Sequence, residues 1–407
     1  MSAVRSAAIP IPVREPQLVR SGRNSGARAA VLFLYFLILG GISIHLYRKP
    51  MYDVDAIQYM GNALLMEETD IVRVHQRVYG DVQRSVPKRE RENLLGQEPG
   101  APASQNESRQ GRAASAYRYA EFLPLFAIRP LYNQTLWLVS KTGIGLVKSG
   151  FLISASSYFL LGVLVLLWLS NYLKPMFAAA VSVLLMMSPP LASMGRDPTP
   201  DALATLIAFG ALYLIFEKQK FTPGIALLLA SIFFRTDFVV LAGPTILACW
   251  LQKRIDIFKA GVLSLVAVGS VLCINHFAGD YGIKMLYYRA FIGAPVAPAE
   301  IAAQFSFRDY LSAFRTGITL IANSFFLPFL LLGAIGAISR QVRVLFAVAV
   351  AYAGLHFLIL PSWEERYYAV FYLSMGVCAG VAAGAIERSE TARCYDSGNS
   401  SASMKAV

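Results

Sequence analysis

Two aspartates stand just after the first strongly apolar segment of this 407-residue chain. In MYDVDAIQYMGNALL, Asp53 and Asp55 directly follow the run AAVLFLYFLILGGISIHLY. A carboxylate at this place can take part in chemistry on a lipid headgroup, or it can cap the following helix and oppose its dipole. Polar residues then recur at helical spacing and predict one polar helix face: Asp55, Gln58, Tyr59 and Asn62.

Four further segments carry polar residues next to apolar runs. Their candidate substrate-binding residues, together with Tyr59, are Arg129 in AIRPLY, Arg196 and Asp201 in GRDPTPDAL, Arg235 and Asp237 in FFRTDF, and Glu365, Arg366 and Tyr367 in SWEERYY. Structural explanations compete with binding: Asp201 can cap a helix, and Arg235 can pair with Asp237. Arg129 can reach the phosphates of any lipid. Arg366 is the least expected of these residues, because cations with adjacent acids are uncommon at the outer end of a span.

The composition indicates a multi-span membrane protein. Hydrophobic residues make up 56% of the chain and charged residues only 15%. Because a backbone in lipid must satisfy its own hydrogen bonds, the predicted fold class is all-α. The net charge of +12 does not indicate nucleic acid binding, since the basic residues lie in tails and short connections rather than in one patch.

The chain divides into a membrane region with two tails. Residues 1–30 form a basic tail before an apolar run without a small-residue cleavage site, which predicts an uncleaved signal anchor. Residues 48–149 form a long first extracytoplasmic loop, in which 81–116 are predicted to lack fixed structure. Its flanks, 54–68 and 117–147, predict amphipathic helices on the membrane surface. Residues 387–407 form the second tail.

About ten transmembrane helices are expected. The anchor is followed by apolar segments at roughly 150–170, 176–193, 201–216, 222–234, 236–251, 259–278, 316–338, 342–360 and 367–386. The stretch 221–251 is interpreted as a hairpin that turns at Arg235 and Asp237, because each charge costs about 2.5–3.5 kcal/mol at mid-bilayer. The distribution of basic residues then places both tails in the cytoplasm and the polar segments on the outer face.

The sequence indicates no cofactor. Cys249, Cys273, Cys378 and Cys394 occur singly, without the spacing of a disulfide framework or a zinc site. The DVD triplet (53–55) could contact a divalent cation, but two carboxylates are an incomplete set of ligands. The predicted chemistry therefore requires no metal.

The order of these motifs resembles that of the GT-C superfamily of polytopic glycosyltransferases, especially the bacterial members related to protein mannosyltransferases and lipid A aminoarabinose transferases. The resemblance rests on DAIQYMGNAL, IRPLY, PDAL, FFRTDF and ERYYAVFYL and covers most of residues 31–386. It implies that a first-loop aspartate is the general base, with Asp55 leading and Asp53 as the alternate. It also implies a polyprenyl-phosphate sugar donor and, by direct displacement, inversion of the anomer. Ala56 replaces the second acid of the family's common Asp-Glu pair, which leaves the acceptor class open.

These expectations imply an enzyme of a bacterial inner membrane. Its partners would be the bilayer, the lipid-linked donor and an extracytoplasmic glycan, lipid or protein acceptor, with no nucleic acid. Two alternatives remain open at this point. One is a secondary transporter or flippase of a lipid-linked or envelope substrate, and the other is a non-catalytic membrane assembly protein.

Overall fold

The computed structural model describes residues 25–292, 298, 306–362 and 364–403 of the chain. Within these ranges, the protein consists of helices and connections without any β-strand, so the predicted all-α class is confirmed. Most of the basic N-terminal tail (1–24) and the end of the second tail (404–407) lie outside the described residues.

The long helix α1 (Ser25–Arg48) is followed by seven shorter helices: α2 (Asp55–Leu64), α3 (Ile71–Ser85), α4 (Lys88–Leu94), α5 (Ala103–Ala114), α6 (Ala116–Phe122), α7 (Pro124–Ala127) and α8 (Pro130–Ser140). The helices of the second part are α9 (Leu146–Leu169), α10 (Pro175–Met186), α11 (Pro189–Met194), α12 (Asp201–Leu212), α13 (Phe221–Phe234), α14 (Val239–Leu251), α15 (Ile257–Phe277), α16 (Gly282–Phe291), α17 (Phe307–Ala322), α18 (Phe326–Gly336), α19 (Arg343–Ile359) and α20 (Ala369–Ser403). A π-helical turn, Tyr213–Glu217, extends α12, and 3₁₀ turns precede α14 (Thr236–Phe238) and α20 (Glu365–Tyr368).

Several helices are long and apolar enough to cross a bilayer, which fits an integral membrane protein. Within the described residues there are four: Gly26–Arg48, Leu146–Leu169, Ile257–Phe277 and Glu365–Ile386. A fifth would be the pair α17 and α18, which is bent by 68°. The predicted total of about ten depends on the shorter apolar helices such as α10, α13 and α19, and it stays a prediction.

Two predicted spans are interrupted in the structure. Segment 176–193 is divided because Ser188 takes an extended conformation and Pro189 starts α11, where its missing N–H is tolerated. Segment 316–338 bends sharply between α17 and α18. Uniform apolar composition did not reveal either break.

The stretch 221–251 is divided at the place where the hairpin was predicted to turn. Helix α13 ends at Phe234, Arg235 is extended, and α14 continues after a 3₁₀ turn. The far ends of both helices return to the same place, since Gly224 lies against Ile215 and Arg254 Nη1 donates to Ile215 O at 2.8 Å.

At that far end of the helix bundle, other helix termini also meet. The hydroxyl group of Tyr172, just after α9, donates a hydrogen bond to Glu217 Oε2 at 2.5 Å. Gly384 of α20 lies against the backbone of Tyr172. The opposite end gathers the end of α1 and the start of α9. There Met51 N donates to Arg196 O at 2.9 Å, and Ser154 Oγ donates to Asp197 O at 2.6 Å. The helices thus alternate in direction between two ends.

The first loop is more ordered than the sequence indicated. Segment 81–116, predicted to lack fixed structure, contains α4 and α5 instead. Leu94 is buried, and the guanidinium of Arg112 lies 4.4 Å from the ring centroid of Phe122. The apolar stem of Arg112 therefore contributes to a core that a charge-based prediction misses.

Helix α2 is enclosed rather than laid on a surface. Eight of its ten residues are buried, including three that were expected to form its polar face, Gln58, Tyr59 and Asn62. The Asn62 amide donates to Gln58 O and Leu123 O, both at 3.0 Å. Its polar group is satisfied internally, so the stripe holds the loop helices together instead of facing water.

Candidate functional site

Arg366 lies among five carboxylates from three separate parts of the chain. Its Nη1 donates to Asp53 Oδ2 and to Asp197 Oδ2, both at 2.8 Å, and its Nε donates to Glu364 Oε2 at 2.9 Å. Asp201 Oδ2 lies 3.7 Å from Nε, and Asp55 Oδ2 lies 4.0 Å from Nη2. We call these residues the Arg366 cluster: Arg366, Asp53, Asp55, Asp197, Asp201 and Glu364.

The fold holds the acids of this cluster at helix termini. Asp53 precedes α2, and its Oδ1 accepts a hydrogen bond from Asp55 N at 2.9 Å. Asp197 precedes α12, where Tyr132 of the first loop donates to the neighbouring carbonyl of Pro198 at 2.9 Å. Arg366 itself stands in the 3₁₀ turn before α20. The cluster is therefore assembled from the starts of three helices, α2, α12 and α20.

A second arginine lies deeper in the helix bundle. Arg235 donates to Asp237 from Nε at 3.0 Å and from Nη2 at 2.6 Å, and its Nη1 donates to Asp201 Oδ1. His356 Nε2 lies 3.0 Å from Asp237 Oδ2. We call Arg235, Asp201, Asp237 and His356 the Arg235 cluster. Asp201 belongs to both clusters, and Thr199 Oγ1 also donates to it at 2.8 Å.

One aromatic ring lies close to both guanidinium groups. The centroid of Tyr367 is 4.7 Å from Cζ of Arg235 and 5.3 Å from Cζ of Arg366. Cations over an aromatic face are attracted by its quadrupole. Tyr367 therefore keeps two like charges close without direct contact.

Burial changes the acidity of the cluster. An apolar pocket formed in part by Ile57, Met60 and Phe151 adjoins Asp53, and burial together with the charge of Asp55 raises the pKa of Asp53. Burial, reinforced by the charge of Asp53, raises the pKa of Asp197 to about 8. In addition, Asp197 Oδ1 is buried without a hydrogen-bond partner among the described residues.

The structure brings most of the predicted site residues together. The clusters and the ring between them contain Asp53, Asp55, Asp201, Arg235, Asp237, Arg366 and Tyr367. Tyr59 is buried beside them, and Arg129 Cζ stands 5.4 Å from its ring centroid.

Two predicted residues have other roles. Arg196 Nε donates to Lys49 O at 2.7 Å and so joins the α11–α12 connection to the end of α1. Glu365 Oε1 accepts from Phe325 N at 3.1 Å, at the bend between α17 and α18. Both stabilise the surroundings of the site rather than its interior.

Three participants were not predicted: Asp197, Glu364 and His356. Asp197 and Glu364 lie inside the motifs GRDPTPDAL and SWEERYY, so a search for every charged residue in those motifs would have found them. His356 occurs singly near the end of a predicted span. Only packing shows that it faces Asp237.

The described residues contain no group of three or more His, Cys, Asp or Glu side chains placed to hold a metal ion. Cys249 and Cys378 are buried, and Cys273 is exposed. The side chain of Cys394 lies outside the described part.

No protein-family model, curated protein or solved structure matches this chain. The functional argument therefore depends on the geometry and chemistry of the two clusters.

Proposed function

We propose that this protein is an integral-membrane glycosyltransferase of the GT-C type. It transfers a sugar from a polyprenyl-phosphate donor to a hydroxyl group of an extracytoplasmic acceptor, with inversion at the anomeric carbon. The single observation that carries this proposal is the convergence of the first-loop aspartates, the start of α12 and the start of α20 on Arg366.

The acid in the first loop supplies the base. As the acceptor oxygen attacks the anomeric carbon, an ionised carboxylate of Asp55 accepts its proton. Asp55 is preferred over Asp53, because it lies four residues before Tyr59, the position that the resemblance to GT-C enzymes gives to the base. Positive charge that develops on the sugar ring is stabilised by the surrounding carboxylates.

The departing phosphate needs cations. Arg366 and Arg235 are already engaged with acids, whereas Arg129 has no carboxylate within ion-pairing distance among the residues described. Its guanidinium, stacked on Tyr59, is therefore available to a phosphate. Arg366 can contribute by exchanging one carboxylate for a phosphate oxygen, since guanidinium groups bind both in the same bidentate manner.

The alternation of helix directions supports a membrane topology with about ten crossings. In this topology, the first loop, the α11–α12 connection, the turn at Arg235 and the start of α20 share the extracytoplasmic face, and both tails are cytoplasmic. The setting is a bacterial inner membrane, and the mechanism proposed here uses no metal. The acceptor is a glycan, lipid or protein.

One observation favours a second candidate, a secondary transporter or flippase. Arg235 and His356 are ionisable groups buried between apolar helices, each with a side chain only 3% exposed, and such groups occur in the proton pathways of transporters. The Arg366 cluster, which lies at the ends of helices rather than within them, favours the transferase.

The test is a transfer assay with purified protein in detergent. Polyprenyl-phosphate sugars and a membrane extract as the source of acceptors are incubated with wild type and with Asp55→Asn. We expect transfer by the wild type and a loss of about 10²- to 10⁴-fold in the variant, because a positioned general base contributes that much.

Asp256→Asn is the matched control. It makes the same change at the opposite end of the bundle, where Asp256 caps α15 by accepting from Lys259 N at 2.8 Å, and Asn caps equally well. Full activity is expected for this variant. Transfer by well-folded Asp55→Asn at the wild-type rate excludes Asp55 as the base. Substrate flux into proteoliposomes without a glycosylated product supports the transporter instead.

A further inference from the structure

The two clusters contain more acid than base. Six carboxylates, from Asp53, Asp55, Asp197, Asp201, Asp237 and Glu364, face two guanidinium groups, from Arg235 and Arg366. A fully ionised site would repel a phosphate group and would concentrate negative charge in an environment of low polarity. At least one of these carboxylates has reason to carry a proton.

Geometry singles out Asp197. Its Oδ2 and Asp53 Oδ2 accept from the same Arg366 Nη1, each at 2.8 Å, so the two oxygens are at most 5.6 Å apart. The other oxygen, Asp197 Oδ1, is buried and has no hydrogen-bond partner in the part of the chain that the structure describes. Two carboxylates this close tend not to ionise together, and a buried oxygen with no donor nearby is where a proton costs least.

We propose that Asp197 is a protonated catalytic carboxyl group, which donates a hydrogen bond and then its proton to the leaving phosphate oxygen. This inference rests on the proposed function. A carboxylic acid kept neutral by its surroundings can donate a hydrogen bond that a carboxylate cannot. A neutral Asp197 also removes one negative charge from the site that the donor phosphate enters.

The step balances as follows. The bond between the anomeric carbon and the phosphate oxygen breaks, and its electron pair stays on that oxygen. The oxygen takes the proton of Asp197, while the acceptor oxygen bonds to the carbon and releases its own proton to Asp55. After the products leave, the proton on Asp55 returns to Asp197 through water. The net products are the glycoside and a protonated polyprenyl phosphate.

The surroundings of Asp197 are consistent with this role. The titratable and charged groups that act on it come from the first loop, α8, α12 and the turn before α20: Asp53, Asp55, Tyr132, Asp201 and Arg366. Three of these are carboxylates, which favour the protonated form, and only Arg366 opposes it. The backbone carbonyls of Asp197 and Pro198 accept from Ser154 and Tyr132, so the side chain is held in place.

Infrared spectroscopy of the resting protein tests the proton directly. At pH 7, the wild type is expected to show a carboxylic acid carbonyl band that shifts in D₂O, disappears in Asp197→Asn and persists in the control Asp256→Asn. The band should titrate away with a midpoint near pH 8. The wild-type titration detects a protonated carboxyl group, and loss of the band in Asp197→Asn assigns it to Asp197 rather than to Asp53, whose pKa is also raised by burial. A spectrum without such a band at pH 7 overturns the inference.

Ligand binding tests the contact with phosphate. Undecaprenyl phosphate in detergent should bind wild type about tenfold more weakly at pH 9 than at pH 7, because a group of pKa near 8 loses most of its proton in this interval. The phosphate monoester is already doubly ionised there, with its second pKa near 6. Asp197→Asn, whose amide keeps a donor, should bind with equal affinity at both values.

Inorganic phosphate is run in parallel to separate headgroup from lipid. The same pH dependence with inorganic phosphate assigns the contact to the phosphate alone, and dependence only with the lipid assigns it to the lipid-anchored form; either supports the proposal. The proposal is overturned if wild type binds with equal affinity at both pH values, or if it binds neither undecaprenyl phosphate nor inorganic phosphate. The proposed function is judged separately, since wild-type sugar transfer would remain measurable in each of these cases.

Discussion

The two arginine clusters use the same residue types in opposite ways. Arg235 is 3% exposed, and its fork is filled by a bidentate bond to Asp237 and a bond to Asp201. Arg366 is 20% exposed and is approached by five carboxylates, two of them at 3.7 and 4.0 Å. One cation is fully paired and enclosed, whereas the other is partly accessible and surrounded by more acid than it can bind.

The difference distinguishes a structural ion pair from the proposed catalytic site. A buried cation that is paired with two carboxylates stabilises one arrangement of helices, and its burial limits access by a ligand. An accessible cation in excess acid can exchange partners at little cost, since its neighbours include a carboxylate of raised pKa and an oxygen that has no partner. The variants below therefore should divide into stability losses around Arg235 and activity losses around Arg366.

The largest loss of stability is expected for Arg235→Met. Removing the guanidinium leaves Asp237 and Asp201 buried without their cation, which costs about 3–5 kcal/mol. Thermal and denaturant unfolding in detergent measure this loss. The double variant Arg235→Met, Asp237→Asn should recover part of it, because one unpaired charge is removed as well. A single variant as stable as wild type would contradict the structural role of Arg235.

Arg366→Gln should affect activity more than folding. The side chain can still donate hydrogen bonds but lacks the charge, and loss of one preorganised donor to a developing charge lowers turnover by about 10²- to 10³-fold, or about 2.7–4 kcal/mol. The comparison is the transfer rate of Arg366→Gln against its melting temperature. If the melting temperature of Arg366→Gln falls as far as that of Arg235→Met, Arg366 is as important for stability as Arg235, and the proposed difference between the clusters is wrong.

Much of the fold was predictable because hydrophobic runs determine where apolar helices occur. The break at Arg235 followed from the cost of burying two charges at mid-bilayer, and the structure has it there. Segment 81–116 was mispredicted because its composition is polar, although Leu94 and the stem of Arg112 pack into the core of the first loop. Composition does not show which side of a polar helix packs against its neighbours.

The site was predictable at the level of motifs but not of roles. Polar residues at the ends of apolar segments identified Asp53, Asp201, Arg235 and Arg366, because such residues are costly in lipid. Neighbours within one motif then diverge: Arg196 binds the backbone of Lys49, while Asp197 turns inward to Arg366. Which of two adjacent residues points into a site depends on the turn between α11 and α12, and spacing alone does not specify it.

The smallest effect is expected for Tyr367→Leu, which removes the ring between the two clusters. Both guanidinium groups lose a contact with the ring face, worth about 0.5–2 kcal/mol each. Tyr367→Phe keeps the ring and should match wild type in unfolding experiments. Combining Tyr367→Leu with Arg366→Gln removes one of the two cations, so the added loss should be smaller than in the wild-type background. Equal losses in both backgrounds would mean that the ring only fills space and that the clusters are independent.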